Sequence, residues 1–399
     1  MRVLCTCVPG FGHFHPMVPL AQALTAAGHE VAFATAERFC RRVVEPAGFT
    51  AFAAGLSPIV AHERTLERYG QPKADAGEAE VWRFGARMFA GVAAPPKVED
   101  LVAAASEWEA DLVVHDMTDF AAPVAAAHRG IPWVGHSFGA LQPGEFWDLA
   151  GELVAPTWAA WGVEPEPRGA MFRHLYLDVC PPSFQSDEIA EISVAQPLRP
   201  VAFDNPEQAP LPPWVAELPP GPTVYVTLGT VVNHSPEVLE RVVEGLADGP
   251  WNVIVTVGRD RDPAELGRLA ANVHVERYLP QSLLLEHCQL VVCHAGSGTT
   301  LAALARSLPL LLLPQDANQF WNADRAQALG AGHTIRPDDL TPAAVRHAVT
   351  RLLDEPGGRV RAGAVATEIA AMPGPAAVVA TLVTLVTGAD DSRPERDAS

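Results

Sequence analysis

The stretch "VVCHAGSGTTLAAL", residues 291–304, changes pattern at a glycine-rich break. Val291, Val292 and Cys293 are apolar and favour a strand, while Leu301, Ala302, Ala303 and Leu304 favour a helix. Between them stand His294, Gly296, Ser297, Gly298, Thr299 and Thr300. A strand that enters a helix through such a loop leaves unpaired N–H groups at the helix start, and these attract anions, phosphate above all. Glycine also removes the Cβ that would hold a phosphate off the backbone. The loop alone leaves two readings open: a diphosphate cradle, or an ordinary strand-to-helix turn with Thr299 as its cap. No Walker lysine follows, so a P-loop is excluded. The dinucleotide fingerprint also fails, because its third glycine is Leu301 here and His15 in the similar loop "PGFGHFHP" near the N-terminus.

Working outward, strands and helices alternate on both sides of this loop. "RVLCTCV", "PGFGHFHP", "MVPLAQALTAAGH" and "EVAFAT" read as strand, glycine turn, helix and strand, with Gly28 closing the helix. Further on, "DLVVHD" and "IPWVGHS" are strands separated by the helix "FAAPVAAAHRG". Residues 55–95 mix charge, glycine and rings with poor periodicity and read as a helix-and-loop insertion. Proline is dense before residue 222, and the pattern restarts at "TVYVTLGT". The expected fold is α/β, with two doubly wound, Rossmann-like parallel-sheet domains facing across a cleft. Their expected bounds are 1–200, a linker at 201–222, and 223–372; a terminal helix at 373–388 should pack back on the first domain, ahead of a disordered tail at 389–399. In open parallel sheets ligands sit beyond the carboxyl ends of the strands, where both glycine loops fall.

Composition narrows the function. The 399 residues carry 28 basic and 47 acidic side chains, a net charge of −19, which disfavours nucleic acid and anionic membranes as partners. No apolar run approaches the ~20 residues of a spanning helix, and the first residues read as a strand rather than a secretory signal. Six cysteines without paired spacing suggest buried free thiols and a cytoplasmic protein.

The segment "HAGSGTTLAALARSLPLLLLPQDANQFWNADRAQALGAG", 294–332, resembles the donor-binding signature of nucleotide-sugar-dependent glycosyltransferases of the two-domain GT-B type. The family includes antibiotic macrolide, UDP-glucuronosyl and plant secondary-metabolite enzymes, and the likeness is to natural-product enzymes of actinobacterial type. "GFGHFHPMVPLAQALTAAGHEV", "YVTLGT", "RYLPQSLLLEHCQLVV" and "AAMPGPAAVV" fall in the family's order. The resemblance implies that His294, Gly296, Ser297, Gly298 and Thr299 grip a diphosphate and that Thr230 adds a hydroxyl. It implies that Tyr278 stacks on the base and that Asn318 and Gln319 contact sugar hydroxyls. His13 takes the place of the general base and Asp116 that of its partner; His15 is a structural rival and Asp119 a rival partner. Two departures matter. The ribose-binding glutamate of the family falls at Ala302, and its aspartate falls at Asn318. A deoxyribose has no 2′-hydroxyl to lose, so the first favours a TDP-sugar over a UDP-sugar.

The implied chemistry is a single inverting displacement on a hydroxyl, metal-independent and without a cofactor beyond the nucleotide-sugar co-substrate. "DRD" at 260–262 mimics a metal motif but reads as solvated surface. Trp82, Phe84, Met88 and Trp147 could line an apolar pocket for a small aglycone or could equally be core. A homodimer is compatible with the sequence, which does not specify the oligomeric state. Rival functions remain: a nucleotide-sugar epimerase, a non-catalytic binding protein, and a serine hydrolase using Ser137 in "GHSFG", a match to the nucleophile elbow.

Overall fold

The computed structural model describes residues 1–72, 78–204, 210–229, 236–258, 261–316 and 318–390. The chain forms two compact units. The first holds Met1–Cys180, Gln185–Arg199 and the residues from Pro373 onward; the second holds Pro181–Phe184 and Pro200–Met372.

The first unit is built on β1 (Arg2–Thr6), β2 (Glu30–Thr35), β3 (Thr50–Ala53), β4 (Leu112–Asp116), β5 (Trp133–His136), β6 (Leu175–Asp178) and β7 (Ala195–Pro197). They form one parallel sheet in the order β3-β2-β1-β4-β5-β6-β7. The order reverses between β1 and β4, whose register pairs Thr6 with His115, so the two strand ends lie side by side. β4 and β5 are buried along their whole lengths, as expected of strands covered on both faces by helices. Alanines 121, 122, 125 and 126 let the helix Ala121–Arg129 lie close to the sheet. Gly130, in left-handed conformation at φ +64°, ends that helix.

The described residues of 55–95, expected as a helix-and-loop insertion, are mostly helical. Pro58–Tyr69 is capped by the Ser57 hydroxyl, and Glu78–Ala86 runs through a π-helical stretch, Arg87–Ala93, into Ala94–Glu107. Pro95 and Pro96 cannot donate to the preceding turn and their rings crowd it; a wider π turn stands before them, and Arg68 Nη1 donates to the Gly91 carbonyl at 3.0 Å.

The second unit carries β8 (Thr223–Thr227), β9 (Asn252–Thr256), β10 (Val273–Glu276), β11 (Leu290–Cys293), β12 (Leu310–Leu312) and β13 (Gly332–Thr334). Its parallel sheet has the order β10-β9-β8-β11-β12-β13 and reverses between β8 and β11. The residues expected as a linker, 201–222, are grouped with this unit. Trp214 stacks on His274 with centroids 4.8 Å apart, and Asp204 accepts from Tyr278 and from the Ser282 amide. Proline stops a ladder, but the rings between the prolines still bury apolar surface. The terminal helix Pro375–Asp390 lies against the helix Val18–Ala26 within the first unit, and Arg199 N–H donates to the Pro373 carbonyl at 2.8 Å.

Among the described residues no single helix is long and apolar enough to cross a membrane. The bent pair Pro356–Ala371 and Pro375–Gly388 has the length and composition of a broken span, yet its Val365, Ile369, Val378 and Leu382 are buried in the fold.

Candidate active site

Each sheet presents a polar cluster where its strand order reverses. In the first unit His13 lies in the short helix Phe11–Phe14 that opens directly after β1, and Asp116 ends β4. His13 Nδ1 is 3.3 Å from Asp116 Oδ1, across 103 positions of sequence. Asp116 is fully buried and accepts from Val8 N at 2.6 Å, Thr118 N at 2.7 Å and Thr118 Oγ1 at 2.6 Å. Burial alone would push its carboxyl up; the charge of His13 and these hydrogen bonds outweigh it and hold the group well below the usual carboxylate range. With Nδ1–H directed at Asp116, the imidazole lone pair is left on Nε2. The ring is framed edge-on by Phe138 at 4.7 Å and Phe89 at 6.1 Å. His15 instead packs edge-on to Phe11 at 5.2 Å. Asp119, the rival partner, is bonded elsewhere: it accepts from Lys97 Nζ and Thr6 Oγ1, each at 2.6 Å.

In the second unit His294 follows β11 and the helix Ser297–Ala305 starts three residues later, with Gly296 as its N-cap. The imidazole is wedged between two glycines. A Cβ on Gly296 would fall 2.3 Å from His294 Nε2, and one on Gly229, at φ +78°, would fall 2.5 Å from Cε1. These glycines therefore clear space for the ring, a role distinct from phosphate approach. Asn322, buried in the helix Gln319–Ala328, donates to the Ala295 carbonyl at 2.8 Å and to Ser297 Oγ at 3.1 Å, and Asn318 donates to the same oxygen at 3.0 Å. Ala295 is held at φ +64°, rare for a residue with a Cβ, so the two amides pin a strained turn. Gln319 spends its carbonyl on the amides of Gln315 and Asp316, leaving only its NH2 for a ligand. Tyr278 anchors its hydroxyl on Asp204 at 3.0 Å. Thr299 is partly exposed and Gly298 exposed beside it. Thr230 lies outside the described residues, as does Asp260 of the "DRD" triplet; Asp262 caps the turn Pro263–Leu266.

Burial lowers His294 to about 4 against the opposing Thr227 backbone, so the ring is neutral at pH 7 and offers an N–H rather than a cation. The unfolded chain, at ~6.5, takes up that proton first. Stability from this group is therefore complete above about pH 6.5 and is lost as pH falls toward 4, by about 3 kcal/mol. Thermal unfolding of the second unit, followed from pH 7 to 4.5, should flatten by that amount in His294→Gln.

The expected acceptor residues are scattered. Met88 lines a narrow apolar pocket with Leu56, Pro58, Phe89 and Thr118, beside the dyad. Trp82 packs against the core near Phe146, and Phe84 meets His62 edge-on. Trp147 is fully buried among Phe120, Phe146 and Phe172 with its N–H on the Gln142 carbonyl, so it is core and not pocket wall. The nucleophile-elbow match also dissolves. Ser137 is fully buried, its Oγ accepts from Val179 N at 2.8 Å, and the neighbouring His136 Nδ1 is tied to the Ser137 carbonyl. Sequence reasoning missed Thr118, Gly229, Asn322 and Lys97. Only Gly229, inside the quoted "TLGT", carried a local signal.

Comparison with known proteins agrees with this architecture. Residues 22–229 match the family described as erythromycin biosynthesis protein CIII-like, N-terminal domain, and residues 240–385 match its C-terminal domain. The chain is 35% identical over 387 residues to an L-demethylnoviosyl transferase of Streptomyces niveus, covering 95% of this chain and 96% of that one. The crystal structure of the glycosyltransferase SnogD from Streptomyces nogalater superposes with a TM-score of 0.75 at 32% identity, covering 97% of this chain and 99% of the other. The spinosyn rhamnosyltransferase SpnG complexed with thymidine diphosphate gives 0.80 at 27% identity, covering 96% and 100%. By its sequence over both domains and by its two parallel sheets of the GT-B class, the chain belongs to the erythromycin biosynthesis protein CIII-like family of natural-product glycosyltransferases.

Proposed function

We propose that this glycosyltransferase moves a deoxysugar from a TDP-sugar to a hydroxyl of a small apolar natural-product aglycone, in one inverting step with His13 as general base. The observation that carries the reading is the His13–Asp116 pair at the strand-order reversal of the first sheet. Nε2 of His13 takes the acceptor proton as the oxygen attacks the anomeric carbon, and the bond from that carbon to the diphosphate breaks on the opposite face. Asp116 fixes the tautomer and stabilises the imidazolium. The neutral N–H of His294 and the amides at the start of the helix Ser297–Ala305 meet the charge that develops on the leaving diphosphate, so the reading assigns this task to the loop and not to a metal. Asn318, bonded to Ser297, and Gln319 are assigned the sugar, and Tyr278 the base.

Support for the donor comes from Ala302, which offers nothing to a ribose 2′-hydroxyl, and from the neighbours SpnG and VinC, each solved with thymidine diphosphate. SpnG has also been solved with the spinosyn aglycone. Six cysteines, all free and buried, fit a reducing cytoplasm. Calorimetry with TDP and UDP tests the donor: TDP is expected to bind tighter, and tighter UDP would sink this part of the reading. A panel of TDP- and UDP-sugars against aglycones, read by mass, tests the transfer itself.

A further inference from the structure

We propose that Lys97 is a positioning residue for the His13–Asp116 pair and acts on it through one peptide group, Cys7–Val8. The inference rests on His13 being the base of the proposed reaction. Lys97 is 6% exposed, an unusual place for an ammonium. It projects from the helix Ala94–Glu107, and its stem passes under Gly55, where a Cβ would fall 2.9 Å from Lys97 Cδ. Its Nζ has two partners: Asp119 Oδ2 at 2.6 Å and the Cys7 carbonyl at 2.9 Å. The nitrogen of that same peptide is Val8 N, which donates to Asp116 Oδ2 at 2.6 Å. A peptide is planar and its C=O and N–H dipoles are aligned. A cation on the oxygen polarises the N–H, and a carboxylate on the N–H polarises the oxygen, so the two charge-assisted bonds strengthen one another. The chain of contacts runs from Lys97 through Cys7–Val8 to Asp116 and then to His13 Nδ1.

Charge counting agrees. The titratable groups facing the pair are Asp119 and Lys97, the thiol of Cys7, and the imidazoles of His115 and His136. Burial raises the Cys7 thiol and lowers both histidines, so these three are neutral. Lys97 cancels Asp119, which leaves Asp116 as the one unbalanced charge for a His13 imidazolium to meet.

The test compares Lys97→Met with Lys97→Met/Asp119→Asn, which removes both charges and is expected to fold where the single variant does not. The Val8 amide is followed by NMR in valine-labelled protein, assigned by its loss in Val8→Ile, and turnover is measured beside it. In the double variant the Val8 proton is expected to move upfield. Its kcat should fall about tenfold, a share of the ~10²–10⁴ that a general base supplies, with KM for both substrates within about twofold. A double variant with the parent Val8 signal and parent kcat overturns the proposal, because Lys97 then serves Asp119 alone. The amide signal requires no sugar transfer. A chain that transfers nothing but shows the Val8 shift would fail the proposed function and leave only the coupling of Lys97 to Asp116 standing.

Discussion

His13→Ala should lower turnover by ~10²–10⁴-fold while thymidine diphosphate binds within about twofold of the parent. The two halves of that expectation separate two roles. The leaving group needs charge stabilisation, which the loop 294–299 provides in the reading above; the acceptor hydroxyl needs a base, and among the described residues only His13 combines a partly exposed ring with a buried carboxylate on Nδ1. Asp116→Asn is expected to match the alanine variant closely. An amide there sets an N–H either against Nδ1, which reverses the tautomer, or against Val8 N, which breaks the bond that orients the side chain, and both remove the carboxylate charge that stabilises the imidazolium. Thr118→Val should cost far less, because Val8 and the Thr118 amide still orient the carboxylate. A His13→Ala protein with parent activity would refute the base assignment, and one that has also lost nucleotide binding would point to a folding defect.

The strand-loop-helix units around residues 13 and 294 were legible because each is local: an apolar run, a glycine break and a helical repeat within about 25 residues. The pairing of His13 with Asp116 was legible only through the family resemblance, since 103 positions separate them and spacing carries no such information. Lys97 was invisible for the same reason. Its helix begins at a double proline that reads as a break, and its partners Cys7 and Asp119 are 90 and 22 positions away. Trp147 shows a different failure. A ring among prolines and glycines gives one sequence signal for a pocket wall and for a core corner, and packing against Phe146 and Phe172 decides for the core. β7 was missed because it has three residues and ends in Pro197, as an edge strand can. At the expected linker, proline reports what a backbone cannot do, while Trp214 and Asp204 report what the side chains between the prolines attach to.

Gly296→Ala should weaken thymidine diphosphate binding by about 10- to 100-fold, the worth of one charge-assisted hydrogen bond. Gly296 has φ −64° and ψ 139°, a conformation open to any residue, so the substitution introduces no backbone strain. What it introduces is a methyl 2.3 Å from His294 Nε2, and neither the helix start nor the ring has room to accept it unchanged. The imidazole must rotate, and the N–H it would offer a phosphate turns with it. A second explanation for the glycine, close approach of phosphate to the backbone, predicts a loss of similar size, so the single variant does not choose between them. The double-mutant cycle with His294→Ala does. If the methyl acts by displacing the ring, His294→Ala/Gly296→Ala binds no more weakly than His294→Ala alone; if the methyl itself fends off the phosphate, the two losses add. Gly229→Ala sharpens the comparison. Its Cβ would press on the same ring at 2.5 Å, and its φ of +78° adds backbone strain of ~1 kcal/mol or more. It should therefore cost thermal stability that Gly296→Ala does not, while lowering affinity through the same displaced histidine.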